Sequence, residues 1–295
     1  MRSPWKAFLL SRYARAITPA ALLALTTAYV FLLLRAPFAV AFVPDVIVAH
    51  RIGVLLHEFV HGIPFRRYRD NHNVVTLFDG CLLMFGSMEV FRGTHLAHHR
   101  WLNTSLDPAR ESDGRTRGKG WIATLSALEA VQSLAYLRDA LAGGKPYVRR
   151  LRIAASFLIS LATVLLWVLA GHPEIVGKML TVTLFTTLIP ISFRGAVEHY
   201  SFPGDTESTN EYRVWIPLFN LNRHVHHHER PYVPWYLLEF RTENPLSHWR
   251  YFTHWFRVYV TREFVLMRPE RERASEAGPA TRQATDPGRP PGQSA

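Results

Sequence analysis

An all-α integral membrane protein, with about four transmembrane helices in two hairpins under a cytosolic histidine-rich cap, is the fold class this sequence predicts. Three observations predict it. Hydrophobic residues make up 48% of the 295 positions, and they gather in two blocks, about residues 17–61 and 151–193. Positive charge collects at one end of each apolar run, and histidines at helical spacings lie at or beyond those same ends.

The elements follow in chain order. The run ITPAALLALTTAYVFLLL, Ile17 to Leu34, contains no charge and reaches the ~17 to 20 residues that a helix needs to span hydrocarbon. No small-residue cleavage site follows it, so it reads as a retained anchor rather than a signal peptide. After a turn between Arg35 and Asp45, a second span over about 38–58 runs into VIVAHRIGVLLHEFVHG. The third and fourth spans, about 151–171 and 174–193, are separated by HPE and read as a tight hairpin. Residues 74–91 carry Asp79 and Glu89 and make a poor span, so they are expected to lie along the interface, as is the amphipathic stretch 121–142. Residues 1–270 form one domain on this reading, and the Pro-, Gly- and charge-rich residues 271–295 form a disordered tail.

Charge orients the hairpins. Arg2, Lys6, Arg12 and Arg15 precede the first span, Arg66, Arg67 and Arg69 follow the second, Arg149, Arg150 and Arg152 introduce the third, and Arg194 follows the fourth. The opposite side carries little beyond Arg35. The positive-inside rule then places both termini, the middle region and every histidine cluster in the cytoplasm, with a bacterial inner membrane as the expected location. The net charge of +11 fits a face lying on anionic headgroups, or a docking surface for an acidic electron carrier. Four spans argue against nucleic-acid binding. The single cysteine, Cys81, excludes an intrachain disulfide and any multi-cysteine metal site.

The histidines carry the chemistry. His57 and His61 form HExxH with Glu58 between them, and HxxHH recurs as His95, His98, His99 and as His224, His227, His228. With 15 histidines in 295 residues, chance yields one HxxHH in roughly one chain of twenty-five, so two point to selection for the spacing. Residues i, i+3 and i+4 share one helix face. Each box therefore aims its imidazoles at one side, and three such helix ends make a cage. His199, in GAVEHYSF, is a ninth candidate. Nine imidazoles exceed one tetrahedral zinc and suit two irons with positions left open for dioxygen. His72, His172, His248 and His254 read as ordinary interfacial residues, His50 as structural or supporting, and His226 points away from its box's shared face.

HExxH by itself also fits an intramembrane zinc metalloprotease, with Asp79 as a third ligand. That reading leaves both HxxHH boxes unused. In a two-metal site Glu58 becomes an acceptor that orients a ligating imidazole.

With these boxes in order from about Ala49 to Leu238, the chain resembles the membrane fatty acid desaturase superfamily of histidine-box diiron oxidases, which includes carotenoid ketolases and hydroxylases and alkane monooxygenases. LLHEFVHGIPFRRYRDN is similar to the first box and its basic flank, THLAHHRWLNTSLDP to the second, FRGAVEHY to the intervening segment, and NRHVHHHERPYVPWYLL to the third. The resemblance implies a stem of four helices and a cytosolic cap holding two iron ions on His57, His61, His95, His98, His99, His199, His224, His227 and His228. It implies dioxygen as co-substrate, a lipid or long-chain hydrocarbon as substrate, and an external electron donor, ferredoxin-like or another small carrier. Fatty acyl desaturation is the leading activity. Hydroxylation or ketolation on the same site is the alternative, because FNLNRH and VEHY lean toward alkane monooxygenases.

Overall fold

Two apolar runs broken only at Ala36 and Pro37 fold back on each other as a helical hairpin. Helix α1 (Ile17–Arg35) closes with the Ala36 N–H donating to the Leu32 carbonyl at 3.1 Å. Pro37 then opens α2 (Phe38–Val60) in the extended conformation. Pro44 removes one N–H from the ladder of α2, which a helix packed among others tolerates. The computed structural model describes residues 15–102, 142, 149–186, 198, 200–201, 208–213, 219–257 and 265–266.

Helix α2 is the central pillar. Its Ile52, Leu55, Leu56 and Phe59 are buried and pack with Leu22, Tyr29 and Leu33 of α1. On its other side lies α6 (Pro173–Thr186), which presents Ile175, Met179 and Val182 to the same core and sets Phe185 edge-on to Phe42. Lys178 of α6 donates to the Leu33 carbonyl at 2.9 Å, placing a cation where the C-terminal end of α1 carries partial negative charge. Helix α5 (Arg150–Leu169) turns into α6 through Gly171, where the His172 N–H reaches the Trp167 carbonyl at 2.9 Å.

The outer helices show their apolar side chains to the surroundings. Leu23 of α1 is 68% exposed, and Leu158 and Leu166 of α5 are 64% and 66% exposed. Such a surface belongs in hydrocarbon rather than water. Three described helices, α1, α2 and α5, are long and apolar enough to cross a membrane. The expected fourth span is represented by α6 as far as Thr186; residues 187–193, His199, nearly all of 121–142 and the 271–295 tail lie outside the described residues.

Residues 74–91 fall in two helices, α3 (Tyr68–Cys81) and α4 (Ser87–Trp101), and the turn between them. Helix α3 packs on α5 and ends in a left-handed turn. The Leu83 N–H donates to the Gly80 carbonyl at 3.1 Å and the Met84 N–H to the Asp79 carbonyl at 2.9 Å, with Leu83 at φ 56°. This 6→1 and 5→2 pairing terminates helices, ordinarily with glycine at the left-handed position. Gly86, at φ 94°, then reverses the chain against Ile153 of α5. The buried Asp79 carboxylate spans the turn, accepting from the backbone N–H of Gly86 at 3.0 Å, Met88 at 3.1 Å and Glu89 at 3.4 Å. It thereby serves the free donors at the start of α4.

The described residues are mostly helical, as expected, and among them four short strands also form beyond the bundle. β1 (Tyr200–Ser201) pairs antiparallel with β4 (Val265–Leu266), and β2 (Ser208–Tyr212) pairs parallel with β3 (Pro245–Leu246). The remaining elements are α7 (His224–Glu229), a 3-10 turn at Trp235–Leu237, and α8 (His248–Phe256), capped by the Ser247 hydroxyl.

Burial raises the Asp79 carboxyl from 3.8 to about 6 against the lowering effect of those N–H donors. A raised folded-state value means stability that is complete below the unfolded value and lost as pH rises through the folded one. Wild-type stability should therefore fall between about pH 4 and pH 6, and Asp79→Asn should flatten that slope. Asp79→Ala, which leaves buried donors unmet, should cost about 1–3 kcal/mol at neutral pH. Thermal unfolding in detergent across that range checks both.

Candidate metal centre

Each histidine box occupies the last turns of a helix or a short helix of its own, and each helix is held by specific local chemistry. The first box closes α2. The Gly62 N–H donates to the Phe59 carbonyl and the Ile63 N–H to the Glu58 carbonyl, both at 3.1 Å, so α2 stops within one residue of His61. Gly62 takes φ 72°, and a Cβ there would meet the Tyr68 ring at 2.7 Å, so glycine is required twice over. The second box lies in the last two turns of α4, the helix begun by Asp79. The third box is α7, six residues long. Its entry loop places Phe219 and Asn220 in left-handed conformations at φ 48° and 57°. The Asn220 amide donates to the Trp235 carbonyl at 3.0 Å, the Asn222 amide to the Tyr212 carbonyl at 2.7 Å, and the Arg223 guanidinium to the Leu238 carbonyl.

These three ends bring eight of the nine predicted histidines together; the ninth, His199, lies outside the described residues. His57, His61, His95, His99 and His227 form one group, with one ring nitrogen of each within 4.8 Å of the others. The Nε2 of His95 lies 2.7 Å from that of His57, 3.1 Å from that of His61 and 3.0 Å from that of His99. His227 closes on His99 at 3.1 Å. His224, His228 and His98 gather beside this group. The Nε2 atoms of His224 and His228 are 2.9 Å apart, the His98 and His228 ring centres 5.1 Å apart, and His228 stacks on His99 at 4.2 Å.

Hydrogen bonding among the rings cannot account for this convergence. A neutral imidazole nitrogen offers either one proton or one lone pair, yet the His95 Nε2 faces three others at once. A shared cation can. Donor atoms about 2.1 Å from one ion stand about 3.0–3.4 Å apart, close to the 2.7–3.3 Å observed. Burial pushes His61 down to about 3. Burial first, then the neighbouring imidazoles, hold His95, His99 and His227 well below the ordinary range. At neutral pH these rings are neutral, and a neutral imidazole is the form that binds metal.

Other predicted residues take different roles. Glu58, expected to orient an imidazole, instead accepts from the Trp235 backbone N–H at 3.2 Å, while the Trp235 indole N–H donates to the Thr18 hydroxyl at 3.2 Å. Glu58 thus ties the first box to the segment after the third. Asp79, the protease reading's third ligand, serves the turn before α4. His226 stays outside the cluster, with Nδ1 accepting from the Glu239 N–H and Nε2 facing Arg241 Nη2, each at 3.0 Å. His50 contacts its neighbour Arg51 at 2.9 Å. His72 is fully buried against Tyr68 rather than interfacial, with burial lowering it to about 4. His172 is half exposed and contacts Glu174, His248 is half-buried and contacts the Arg213 carbonyl, and His254 is buried.

Sequence reasoning missed one group. Glu198, next to the candidate His199, is 4% exposed and lies 3.6 Å from the His224 Nε2. Its only signal was adjacency in VEHY.

Residues 33–258 match the family described as fatty acid desaturase. The chain belongs to that family. As a desaturase-family chain with three helices able to cross a membrane, it is an integral membrane protein. Its relatives include the sphingolipid delta(4)-desaturase/C4-monooxygenase DES2 of Homo sapiens, 26% identical over 204 residues, covering 65% of this chain and 60% of that protein. The Rattus norvegicus and Mus musculus DES2 proteins are each 26% identical, covering 63% and 64% of this chain and 58% and 59% of theirs. The chain therefore spans less than two thirds of the length of these curated relatives. No solved structure matches it.

The geometry separates two histidines that spacing alone does not. His95→Ala should abolish metal binding at the five-histidine group, measured by metal content of detergent-purified protein. His226→Ala should keep the metal but lower stability by about 1–3 kcal/mol, because the Glu239 N–H loses its acceptor.

Proposed function

We propose that this desaturase-family chain is a membrane-bound diiron oxidoreductase that uses dioxygen to oxidise C–H bonds of a long apolar lipid, most directly by fatty acyl desaturation. The observation that carries the reading is the convergence of five imidazole nitrogens within 4.8 Å, on rings that are buried or half-buried, with His98, His224 and His228 packed beside them. Two adjoining imidazole groups suit two ferrous ions, with His199 completing the proposed ligand set of His57, His61, His95, His98, His99, His199, His224, His227 and His228. When bound, the irons supply the dioxygen chemistry that removes hydrogen from an unactivated carbon.

The chain's own part is positioning and exclusion. Helix α2 delivers His57 and His61 at the end of an apolar span, so a lipid tail reaches the site from hydrocarbon without crossing water. Burial keeps His95, His99 and His227 neutral, leaving their lone pairs free for the metal. The Glu58–Trp235 and Trp235–Thr18 hydrogen bonds hold the third box against α1 and α2, which fixes the distance between the two metal groups and so the carbon presented. Electrons must arrive from outside, since the sequence offers no cysteine set or flavin fingerprint, and a ferredoxin-like carrier fits the basic face. One desaturase-like domain over 1–270 with four spans and a cytoplasmic histidine-rich cap, a disordered tail over 271–295 and a bacterial inner membrane complete the proposal.

Hydroxylation or ketolation is the second reading, and a specific observation favours keeping it. The DES2 relatives are named both desaturase and monooxygenase, which supports carrying both outcomes over to this chain. Returning oxygen to the carbon radical or removing a second hydrogen differ in geometry, not in the ligands. A zinc protease fits less well: Glu58 faces the Trp235 N–H, and three more histidines join His57 and His61.

Purified wild-type protein should carry close to two irons per chain, whereas one zinc and no iron would revive the protease. Lipid profiles of expressing cells should show new double bonds that vanish in His98→Ala; new hydroxyl or keto groups instead would establish the second reading. Glu58→Gln, which keeps an acceptor for the Trp235 N–H, should retain iron and lower product yield only modestly.

A further inference from the structure

Helices α3 and α5 cross at backbone distance. A Cβ on Gly80 would lie 2.4 Å from the Ile159 Cβ and 2.9 Å from the Ser156 carbonyl oxygen. Nearer their N-terminal ends Arg152 bridges the two helices. Its Nη1 donates to the Thr76 hydroxyl at 3.0 Å and its Nη2 to the Asn73 side-chain carbonyl at 3.2 Å. Both acceptors are neutral, so the guanidinium charge is not cancelled.

More positive charge surrounds it. Arg152 stands within electrostatic reach of Arg69, Arg92 and Arg149, and the buried His72 within reach of Arg92, Arg149 and Arg152. The nearby Glu89 carboxylate is already taken by Arg92, which donates to both of its oxygens. Asp70 is exposed in the first turn of α3. Among the described residues, no carboxylate pairs with Arg69, Arg149 or Arg152. Guanidinium groups gathered with surplus charge repel one another, and a phosphate, which accepts from several of their N–H groups at once, relieves that repulsion.

The place and the surface below it say which phosphate. Helix α5 is long and apolar enough to cross a membrane, and Arg149 and Arg152 stand at its first turn, where its flanking cations meet headgroups. Ile159 and Leu166 follow Arg152 at i+7 and i+14 on the same side of α5, half-buried and exposed respectively. On α3 the exposed Leu77 follows Asn73 by one turn. Both helices thus run from cations or amide to apolar side chains. A free anion would use only the first part, whereas a phospholipid uses both. A zwitterionic headgroup brings its own ammonium against the arginines, so the surplus charge selects an anionic one.

We propose that the seam between α3 and α5 binds one anionic phospholipid, with Arg69, Arg149 and Arg152 around its phosphate and an acyl chain along Leu77, Ile159 and Leu166. The lipid is a resident one, joining the two helices behind the turn that leads to the second histidine box. The inference is independent of the metal and holds for iron-free protein as well.

The test is native mass spectrometry of detergent-purified full-length protein with added phosphatidylglycerol or phosphatidylcholine, for wild type, Arg69→Gln/Arg149→Gln and Arg66→Gln/Arg67→Gln. Arg69 and Arg149 are exposed and pair with no described carboxylate, so their replacement should leave thermal unfolding in lipid-free detergent unchanged. Wild type should retain one phosphatidylglycerol about tenfold more tightly than phosphatidylcholine. Arg69→Gln/Arg149→Gln should lose that preference, while Arg66→Gln/Arg67→Gln, removing the same charge just before α3, should change it by less than about threefold. Equal loss in both variants means a diffuse basic surface and overturns the proposal. So does wild type that holds the two lipids equally, or whose phosphatidylglycerol is displaced by millimolar inorganic phosphate. If Arg69→Gln/Arg149→Gln keeps phosphatidylglycerol but is reduced more slowly by a ferredoxin, the arginines serve an acidic protein instead, which also overturns it.

Discussion

Mutual repulsion among buried imidazole lone pairs is the constraint on which the rest of this structure depends. The His95 Nε2 faces three other nitrogens at hydrogen-bond distance, and no arrangement of protons satisfies all of them. Burial prevents the rings from relieving the conflict by taking up protons. The cluster is therefore favoured by a positive charge placed among its nitrogens, which a bound metal ion supplies. The architecture holds these rings together against their own preference until a metal makes the contact favourable, which links metal binding to folding.

The holding is done by helix ends. Helix α2 stops at Gly62, α4 starts from the Asp79 carboxylate, and α7 is entered through a loop pinned by Asn220 and Asn222. None of these devices contacts the proposed metal positions. Each sets the point along a helix at which its imidazoles meet the others, and a change of one residue in a helix end rotates a side chain by about 100°. Local termination chemistry thus governs the geometry of a site several residues away. The Glu58–Trp235 contact does the same between elements, binding the first box to the segment after the third.

The stem and the site answer to different solvents. Outward leucines on α1 and α5 suit hydrocarbon, while α2 carries buried polar groups at Asp45, His50 and Arg51 and again at its end in His57 and Glu58. The outward apolar surface brings hydrocarbon alongside a helix that ends in the polar centre. It supports the proposed entry of a lipid chain from the bilayer without a separate channel through water.

Much of this was written in local pattern. The apolar run from Ile17 and the hairpin around HPE followed from length and hydropathy, and the three histidine boxes from helical spacing, because those signals repeat within one or two turns. Spacing also separated His226 from His227 and His228, since i+2 faces away on a helix. What tertiary structure alone decided were contacts between residues far apart in sequence. Glu58 looked like a partner of its neighbouring imidazoles but reaches Trp235, across 177 positions. His72 looked interfacial but is buried by Tyr68, and Asp79, a ligand only in the protease alternative, is the acceptor for a helix start. Glu198 carried no signal beyond its adjacency to His199, because its relation to His224 exists only once the loop at Asn222 has folded back on Tyr212. Periodicity declares which residues share a face; which faces meet depends on packing across the whole chain, and no local spacing encodes that.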